Sequence, residues 1–175
     1  NDFLKFRGCT KLFYEFSSLT TIPQLDTSSV TDMNNMFKSC SSLTTIPQLD
    51  LRSATNMYYM FAQCKSLTNC YLKNIKISLT IGSGTSYGHL LTVESLLYMI
   101  KELVNTGSSN TLTIGSANTA KLSSTYVKLI GITDEMRSED DLIDSKLPFE
   151  VCESTDEGAL NILTGYVKLK NWQIK

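Results

Sequence analysis

The chain has 175 residues, of which 42% are hydrophobic and 19% are charged, and its net charge is −1 at pH 7. This composition excludes wholesale disorder and a collagen-like structure, and the near-neutral charge lacks the basic excess typical of nucleic-acid-binding proteins. No apolar run reaches the roughly 18 residues of a membrane-spanning helix, so we expect no membrane insertion of this fragment.

The first part of the chain is a repeat. Residues 19–42 and 43–66 are identical at fifteen of 24 positions, and both begin with LTTIPQLD. Periods of about 20–50 residues are typical of solenoids, in which a unit buries its apolar side only against its neighbours. We therefore expect the apolar residues common to both copies to form buried ladders. These pairs are Leu19/Leu43, Ile22/Ile46, Leu25/Leu49, Val30/Ala54, Met33/Met57, Met36/Met60, Phe37/Phe61 and Cys40/Cys64.

Each copy is predicted to fold as a short strand, a turn and a short helix. The Thr-rich LTTI segment favours a strand that ends at Pro23 or Pro47, because proline cannot donate to a strand ladder. The apolar residues between Met33 and Cys40 are spaced i, i+3, i+4 and i+7, which predicts a helix.

A degenerate copy, CTKLFYEFSSL, precedes these two and places Phe16 where the later copies have Cys40 and Cys64. A phenylalanine indicates an inward, apolar position, so we expect the two cysteines to be packed free thiols, with a disulfide between them as the alternative. The five cysteines follow no zinc-binding spacing, and the single histidine, His89, cannot form a metal site or a catalytic triad with another histidine. We expect neither a metal nor a cofactor.

The ladder L-x-x-I-x-x-L, followed by M-x-x-M-F-x-x-C, resembles the BspA-like leucine-rich repeats of bacterial surface proteins. The usual form of those repeats has Ile-x-x-Ala-Phe where this chain has Met-x-x-Met-Phe, a departure that is similar to the related surface-protein repeat of about 25 residues. The resemblance implies an α/β fold: a right-handed leucine-rich-repeat solenoid of short strands and short helices with a C-terminal α/β cap. It also implies a protein of the bacterial cell surface or a secreted protein.

We assign residues 1–74 to leucine-rich repeats with a period of 24 and residues 75–175 to longer strand–helix repeats and the cap. The near-identical segments SLTIGS, at 78–83, and TLTIGS, at 111–116, predict two strands. Between them we predict a helix over 93–104, capped by Thr92 and ended by Asn105-Thr106-Gly107.

The C-terminal part is predicted to hold a second helix at 118–130, an acidic insertion near 133–157 and a final strand in which Trp172 covers the end of the core. Ten of the 17 acidic residues lie in the insertion, and we interpret it as a solvated segment rather than a calcium loop, whose ligand spacing is absent. Ser154-Thr155-Asp156-Glu157 fits a capping box that opens another helix.

No catalytic pattern is present, and we expect no enzymatic activity. The Gly-rich segment IGSGTSYG lacks the lysine of a phosphate-binding loop and the third glycine of a dinucleotide fingerprint, so we interpret it as a turn. The carboxylates of the acidic insertion have no apolar pocket in the sequence that would suit acid/base catalysis.

The remaining candidate is a binding surface. Polar residues that recur between the ladder positions predict a regular polar face on the strand side, and adjacent tyrosines replace Asn34 and Asn35 in the second copy. We expect adhesion to a protein or glycan on a host or microbial surface, with a phage or prophage tail component that recognises a host cell as the alternative. The candidate binding residues are Thr20, Thr21, Gln24, Thr44, Thr45, Gln48, Tyr58 and Tyr59.

Overall fold

The computed structural model describes residues 8–81, 91–123, 126–129, 149–152 and 172–175. The elements are β1 (Thr45–Asp50), β2 (Asn69–Lys73), β3 (Leu79–Thr80), α1 (Val93–Lys101), β4 (Asn110–Thr113), α2 (Ser116–Ser123), β5 (Tyr126–Leu129), β6 (Phe149–Cys152) and β7 (Trp172–Ile174). No helix among the described residues is long and apolar enough to cross a membrane.

Successive layers are joined by threonines spaced 24 residues apart. The N–H of Thr44 donates to the carbonyl of Thr20 (3.1 Å), that of Thr68 to Thr44 (3.0 Å), and that of Thr92 to Thr68 (2.8 Å). The interval of the two copies therefore continues to residue 92, beyond the point where the sequence visibly repeats. A leucine precedes each threonine and packs in or against the core: Leu19, Leu43, Leu67 and Leu91.

Strands β1 and β2 are parallel neighbours, and their register shifts between Ile46 and Leu49. Pro47 lies inside β1, so the prediction that proline ends the strand is wrong. The register shift explains why proline is tolerated, because an irregular position in a ladder does not require a donated N–H. In the first copy the equivalent segment is residues 21–26, of which 21–25 have no strand assignment and Asp26 forms an isolated bridge.

The helix predicted between Met33 and Cys40 is also wrong, because this segment is a run of tight turns. The N–H of Met36 donates to Met33 (3.2 Å) and that of Cys40 to Phe37 (3.1 Å), which are i to i−3 bonds. Left-handed residues interrupt any helix: Asn35 has φ 53° and Ser39 has φ 66°. A chain of turns places apolar side chains inward at the same spacing as a helix does, so the sequence pattern alone did not separate the two.

Alternate N–H groups of the turn segments at 9–15 and 33–39 donate to the following layer. Met33 donates to Asn56 (2.8 Å), and Phe37 donates to Met60 (3.0 Å). The turn segments are therefore stacked by backbone hydrogen bonds, as strands are in a sheet. The other bonds of this column run from Cys9 to Asp32, Lys11 to Asn34, Phe13 to Met36, Glu15 to Lys38, Asn35 to Tyr58 and Ser39 to Ala62.

The core lies between the strand side and the turn side of the layers. The ring of Phe37 stacks between those of Phe13 (5.5 Å between centroids) and Phe61 (5.7 Å), with interplanar angles of 7° and 10°. Of the residue pairs predicted to form buried ladders, every member except Leu19 is buried, which confirms their inward direction; Leu19 is half-buried and packs against the core.

After Thr92 a helix takes the place that β1 and β2 have in the preceding layers, and it packs on β2. Helix α1 begins after its N-cap Thr92, as predicted, but ends at Lys101 rather than at Val104. Strands β3 and β4 pair in parallel, and β7 adds to β4 on its other side. The second predicted helix, over 118–130, is correct only for α2, since residues 126–129 form β5, antiparallel to β6.

Trp172 completes the core on the side of the last strand. Its side chain is 2% exposed, and its indole Nε1 donates to the carbonyl of Val104 (2.9 Å). A buried indole with its N–H satisfied contributes a large apolar area without a desolvation penalty. The prediction of a final strand that carries a buried tryptophan is confirmed by β7.

Candidate functional site

The threonines of the strand side join the layers to one another. The hydroxyl of Thr44 donates to the carbonyl of Thr20 (3.3 Å), and the hydroxyl of Thr68 donates to the carbonyl of Thr44 (3.2 Å). These hydroxyls repeat the direction of the backbone bonds between the same residues, so they stabilise the stack. Among the candidate binding residues, Thr20 and Thr44 therefore have a structural role, although both are exposed.

The glutamines lie in a row that continues onto later layers. Gln24 Nε2 donates to the carbonyl of Gln48 (2.5 Å), and Gln48 Nε2 donates to the hydroxyl of Tyr98 on α1. The ring of Tyr98 meets that of Tyr71, on β2, edge-to-face at 5.4 Å. We call Gln24, Gln48, Tyr71 and Tyr98 the strand-side row; it crosses the layers that begin at Thr20, Thr44, Thr68 and Thr92.

Charged groups flank the row at its α1 end. The hydroxyl of Tyr71 donates to Glu94 Oε1 (3.3 Å), and Lys101 Nζ lies 5.4 Å from the centroid of the Tyr98 ring. Burial raises the pKa of both tyrosines, and the nearby Glu94 raises that of Tyr71 further. Both hydroxyls are therefore neutral at physiological pH and can donate as well as accept.

Sequence reasoning missed Tyr71 and Tyr98. They lie on different elements, and only the stacking of α1 on β2 brings their rings together. The available signal was the interval of 24 residues, which leads from Leu67-Thr68 to Leu91-Thr92 and so places α1 in the next layer. Thr21 is exposed and Thr45 is half-buried.

The tyrosine pair of the second copy lies on the turn side, away from β1. Tyr58 is 61% exposed and Tyr59 is 41% exposed, and their ring centroids are 4.0 Å apart with the rings tilted by 51°. They border an open groove of about 460 Å³ that is lined by residues 55–59, Ile77, Ser78 and Thr80, which we call the tyrosine groove. The two groups of predicted binding residues thus belong to separate surfaces.

Lys38 holds the Tyr59 ring from the preceding layer. Its Nζ lies 5.4 Å from the Tyr59 centroid and 5.7 Å from that of Tyr14, one layer earlier. A cation over an exposed ring is worth about 0.5–1 kcal/mol. One side of Tyr59 is therefore occupied by the lysine, while Tyr58 is the more exposed of the two rings.

A charged corner follows β1. The carboxylate of Asp50 accepts from Arg52 Nη2 (2.5 Å) and from Asn74 Nδ2 (2.8 Å), and Lys73 Nζ lies at 3.5 Å. Burial opposes the charged form, but the hydrogen bonds from Arg52 and Asn74 outweigh it and lower the pKa of Asp50 to about 2. The aspartate is thus ionised and paired, and it ties one layer to the next through Asn74.

Cys9, Cys40, Cys64 and Cys70 are free and buried, which confirms that Cys40 and Cys64 do not form a disulfide. Cys64 Sγ donates to the carbonyl of Phe37 (3.1 Å), and burial raises the pKa of this thiol to about 12. Such thiols are poor nucleophiles and poor metal ligands. The prediction that Phe16 points inward is wrong, because this side chain is 56% exposed.

Several predictions lie outside the described residues. They concern the glycine-rich segment from 82 onward, His89, the acidic insertion apart from the backbone of 149–152, and the helix predicted after the capping box. Within the part of the chain that the structure describes, no cluster of three or more His, Cys, Asp or Glu side chains could hold a metal ion.

A known protein family matches the first part of the chain. Residues 6–80 match the family described as "Mycoplasma protein of unknown function, DUF285". The matched segment contains the degenerate copy, both 24-residue copies and the start of the third layer, up to Thr80 of β3. No curated protein and no solved structure matches the chain.

Proposed function

We propose that the chain is part of a right-handed leucine-rich-repeat solenoid with a C-terminal α/β cap. In this proposal it serves as a non-catalytic binding module of a bacterial cell-surface or secreted protein and recognises a protein or glycan on a host or microbial surface. The match of residues 6–80 to a family associated with BspA-like surface repeat proteins supports the class of protein.

The strand-side row is the observation that carries the proposal. Its members come from consecutive layers and are joined by the bonds from Gln24 to Gln48 and from Gln48 to Tyr98 and by the ring contact of Tyr98 with Tyr71. Ordering a long side chain on binding costs about 0.5–1.5 kcal/mol of conformational entropy. Side chains that are already held in one arrangement before binding avoid most of this cost.

The chemistry of the row suits recognition rather than catalysis. Tyrosine combines a large apolar ring with a hydroxyl that both donates and accepts, and it is enriched at protein interfaces. The charges of Glu94 and Lys101 lie at the edge of the row, where they orient a partner without being buried. The acid Glu94 contacts a tyrosine hydroxyl instead of facing a second carboxylate.

The test is binding of the fluorescently labelled chain to host epithelial cells and to bacterial cells, measured by flow cytometry. We expect the double variant Gln24→Lys/Gln48→Lys to lower the binding by about tenfold or more, because it places two charges in the row. The matched control is Ser29→Lys/Ser66→Lys, which adds the same charge at exposed positions outside the row and is expected to bind as the parent chain does.

The outcomes separate the alternatives. Binding to host cells that the row variant loses and the control keeps supports an adhesin. Binding restricted to bacteria favours the phage or prophage tail component. Absence of binding to both cell types, or equal loss in the two variants, contradicts a binding function for this surface.

A further inference from the structure

The tyrosine groove arises from a substitution inside the repeat. The first copy has Asn34-Asn35 where the second has Tyr58-Tyr59, although the flanking Met-x-x-Met-Phe residues are the same. In both copies the second residue of the pair has a left-handed backbone, with φ 53° at Asn35 and φ 55° at Tyr59. The local fold therefore does not require tyrosine.

A tyrosine in this conformation carries a cost. Asparagine is among the residues that tolerate the left-handed region best, whereas a side chain with a bulky ring is disfavoured there by about 1 kcal/mol or more. The Tyr59 ring is 41% exposed, so burial returns only part of that cost, and the neighbouring Tyr58 ring is 61% exposed. A strained residue with exposed apolar surface is a reason to look for a ligand.

The groove beside the rings has the size and polarity of a small-ligand site. Its volume of about 460 Å³ falls within the range of roughly 300–1,000 Å³ that is typical of such sites. Apolar surface comes from Met57, Ile77 and the two rings, and polar groups come from the side chains of Asn56, Ser78 and two threonines.

Among the residues that the structure describes, the lining contains no Asp, Glu, Lys or Arg. A hydrogen bond with Tyr59 raises the pKa of Tyr58, so its hydroxyl is neutral as well. The Oδ1 atom of Asn56 accepts from the N–H of Tyr58 (3.1 Å), which fixes the amide beside the ring. The groove thus offers ring faces and neutral hydrogen-bonding groups, and the charge placed beside it is the ammonium of Lys38, 5.4 Å from the centroid of the Tyr59 ring.

We propose that the tyrosine groove binds a neutral pyranose, a hexose or N-acetylhexosamine residue of a surface carbohydrate. A pyranose has an apolar face of C–H groups that packs on an aromatic ring, and its edge of hydroxyls matches amide and hydroxyl partners. A protein epitope is less suited to this groove, because a cavity of about 460 Å³ has the size of a small-ligand site rather than that of a protein interface. The inference rests on the proposed binding function and assigns it a ligand class at a second surface.

The test uses saturation-transfer NMR with the whole chain and methyl glycosides of glucose, galactose, mannose, N-acetylglucosamine and N-acetylgalactosamine, with glucuronic acid and sialic acid as charged comparisons. We expect transfer to the ring protons of at least one neutral glycoside. The variant Tyr58→Asn/Tyr59→Asn restores the residues of the first copy, so it keeps the fold, and we expect it to lower the transfer by about tenfold.

The matched control is Phe16→Asn, which also replaces an exposed aromatic ring by asparagine, outside both the tyrosine groove and the strand-side row, and is expected to leave the transfer unchanged. No transfer to any neutral glycoside, transfer that survives the double variant, or a preference for the charged sugars overturns the proposal. Thermal denaturation followed by circular dichroism checks that the double variant is folded.

Cell binding distinguishes this proposal from the binding function itself. Periodate destroys the vicinal diols of cell-surface glycans and spares most protein epitopes. Cell binding that survives periodate, together with absence of glycoside transfer, leaves the binding module in place and removes the carbohydrate site. Glycoside transfer without any cell binding supports the carbohydrate site and contradicts the cell-binding function.

Discussion

The two 24-residue copies and the layers after them have the same hydrogen bonds between neighbouring layers but different local structures within a layer. After Thr44 and Thr68 the chain enters the strands β1 and β2, whereas after Thr92 it enters helix α1 before it reaches β4. The bond from Thr92 to Thr68 nevertheless has the geometry of the bond from Thr68 to Thr44, at 2.8 and 3.0 Å. The contacts between neighbouring layers are thus retained, while the path of the chain within a layer changes.

This comparison separates two kinds of residue. Ladder residues touch the equivalent residue of the next layer and restrict it, as Phe37 does with Phe61. At the other positions the backbone conformation is kept while the side chain changes, as at Asn35 and Tyr59, which both have a positive φ. The substitutions that follow test this distinction, in order of decreasing expected effect.

The largest effect is expected from Phe37→Ala. Phe37 is fully buried between two other phenylalanine rings, and removal of such a side chain costs about 3–5 kcal/mol in transfer free energy and cavity formation. Urea denaturation followed by circular dichroism measures the loss. The control is Phe16→Ala, whose ring is 56% exposed and should cost much less. Similar losses in the two variants would remove the distinction between ladder and other positions.

A smaller effect is expected from Asp50→Asn, which weakens the corner between two layers. Hydrogen bonds to a charged group are worth about 1.5–3 kcal/mol, so we expect a loss in that range at pH 7. The pKa of Asp50 is lowered from 3.8 to about 2 in the folded chain. Its stabilisation is therefore fully present above pH 3.8 and declines as the pH falls through about 2.

The measurement is urea denaturation of the parent chain and the variant between pH 7 and pH 2. The difference between them should shrink as the pH approaches 2. Asp26→Asn is the matched control from the first copy, where Oδ1 accepts from the N–H and hydroxyl of Ser28. A difference that stays constant with pH would show that the charge of Asp50 does not stabilise the fold.

Thr92→Val tests the junction between the regular and the altered layers. The hydroxyl of Thr92 accepts from the N–H of Ser95 (3.2 Å) as the N-cap of α1, and loss of such a cap costs about 0.5–2 kcal/mol. Thr68→Val, which loses the hydroxyl bond to the Thr44 carbonyl and the bond accepted from Asn69 Nδ2, serves as the comparison and should cost about 0.5–1.5 kcal/mol. A larger loss at Thr68 than at Thr92 in thermal denaturation would reverse our assignment of the cap.

The smallest effect is expected from Tyr59→Asn. We expect a free energy of unfolding that is unchanged or raised by about 1 kcal/mol, because asparagine relieves the left-handed backbone while the cation contact with Lys38 is lost. Tyr58→Asn, at a position without a positive φ, should give no gain. A large destabilisation by Tyr59→Asn would mean that this tyrosine supports the fold rather than a ligand.

The core was largely predictable, because the apolar residues that point inward recur at the same positions in both copies. Residues such as Met36 and Phe37 recur at the same place in both copies and are fully buried in the structure. The cap of α1 was predictable for a local reason, since a threonine before an apolar helical pattern has few other roles. Strands β3 and β4 were found because their sequences repeat each other.

The turn segments were not predictable, because their left-handed residues are Lys, Glu, Asn, Ser, Tyr and Gln rather than glycine. Without glycine the usual sign of a left-handed turn is missing. At Lys11, Glu15, Asn35 and Ser39 the N–H donates to the next layer, which compensates for the backbone strain there. The strand-side row was only half predictable. Gln24 and Gln48 repeat in the sequence, whereas Tyr71 and Tyr98 become neighbours through tertiary packing.

The column of turn segments has a consequence for how such a protein changes its length. All the N–H groups that link one turn segment to the next point along the stack in the same direction, from Phe13 to Met36 and from Phe37 to Met60. The column therefore has an acceptor end and a donor end, as an α-helix has. A whole unit of 24 residues can be duplicated or deleted within it while each neighbour meets the same partner groups, but a fragment of a unit cannot. Growth by complete units is thus compatible with the hydrogen bonding, and it preserves the polarity of the stack.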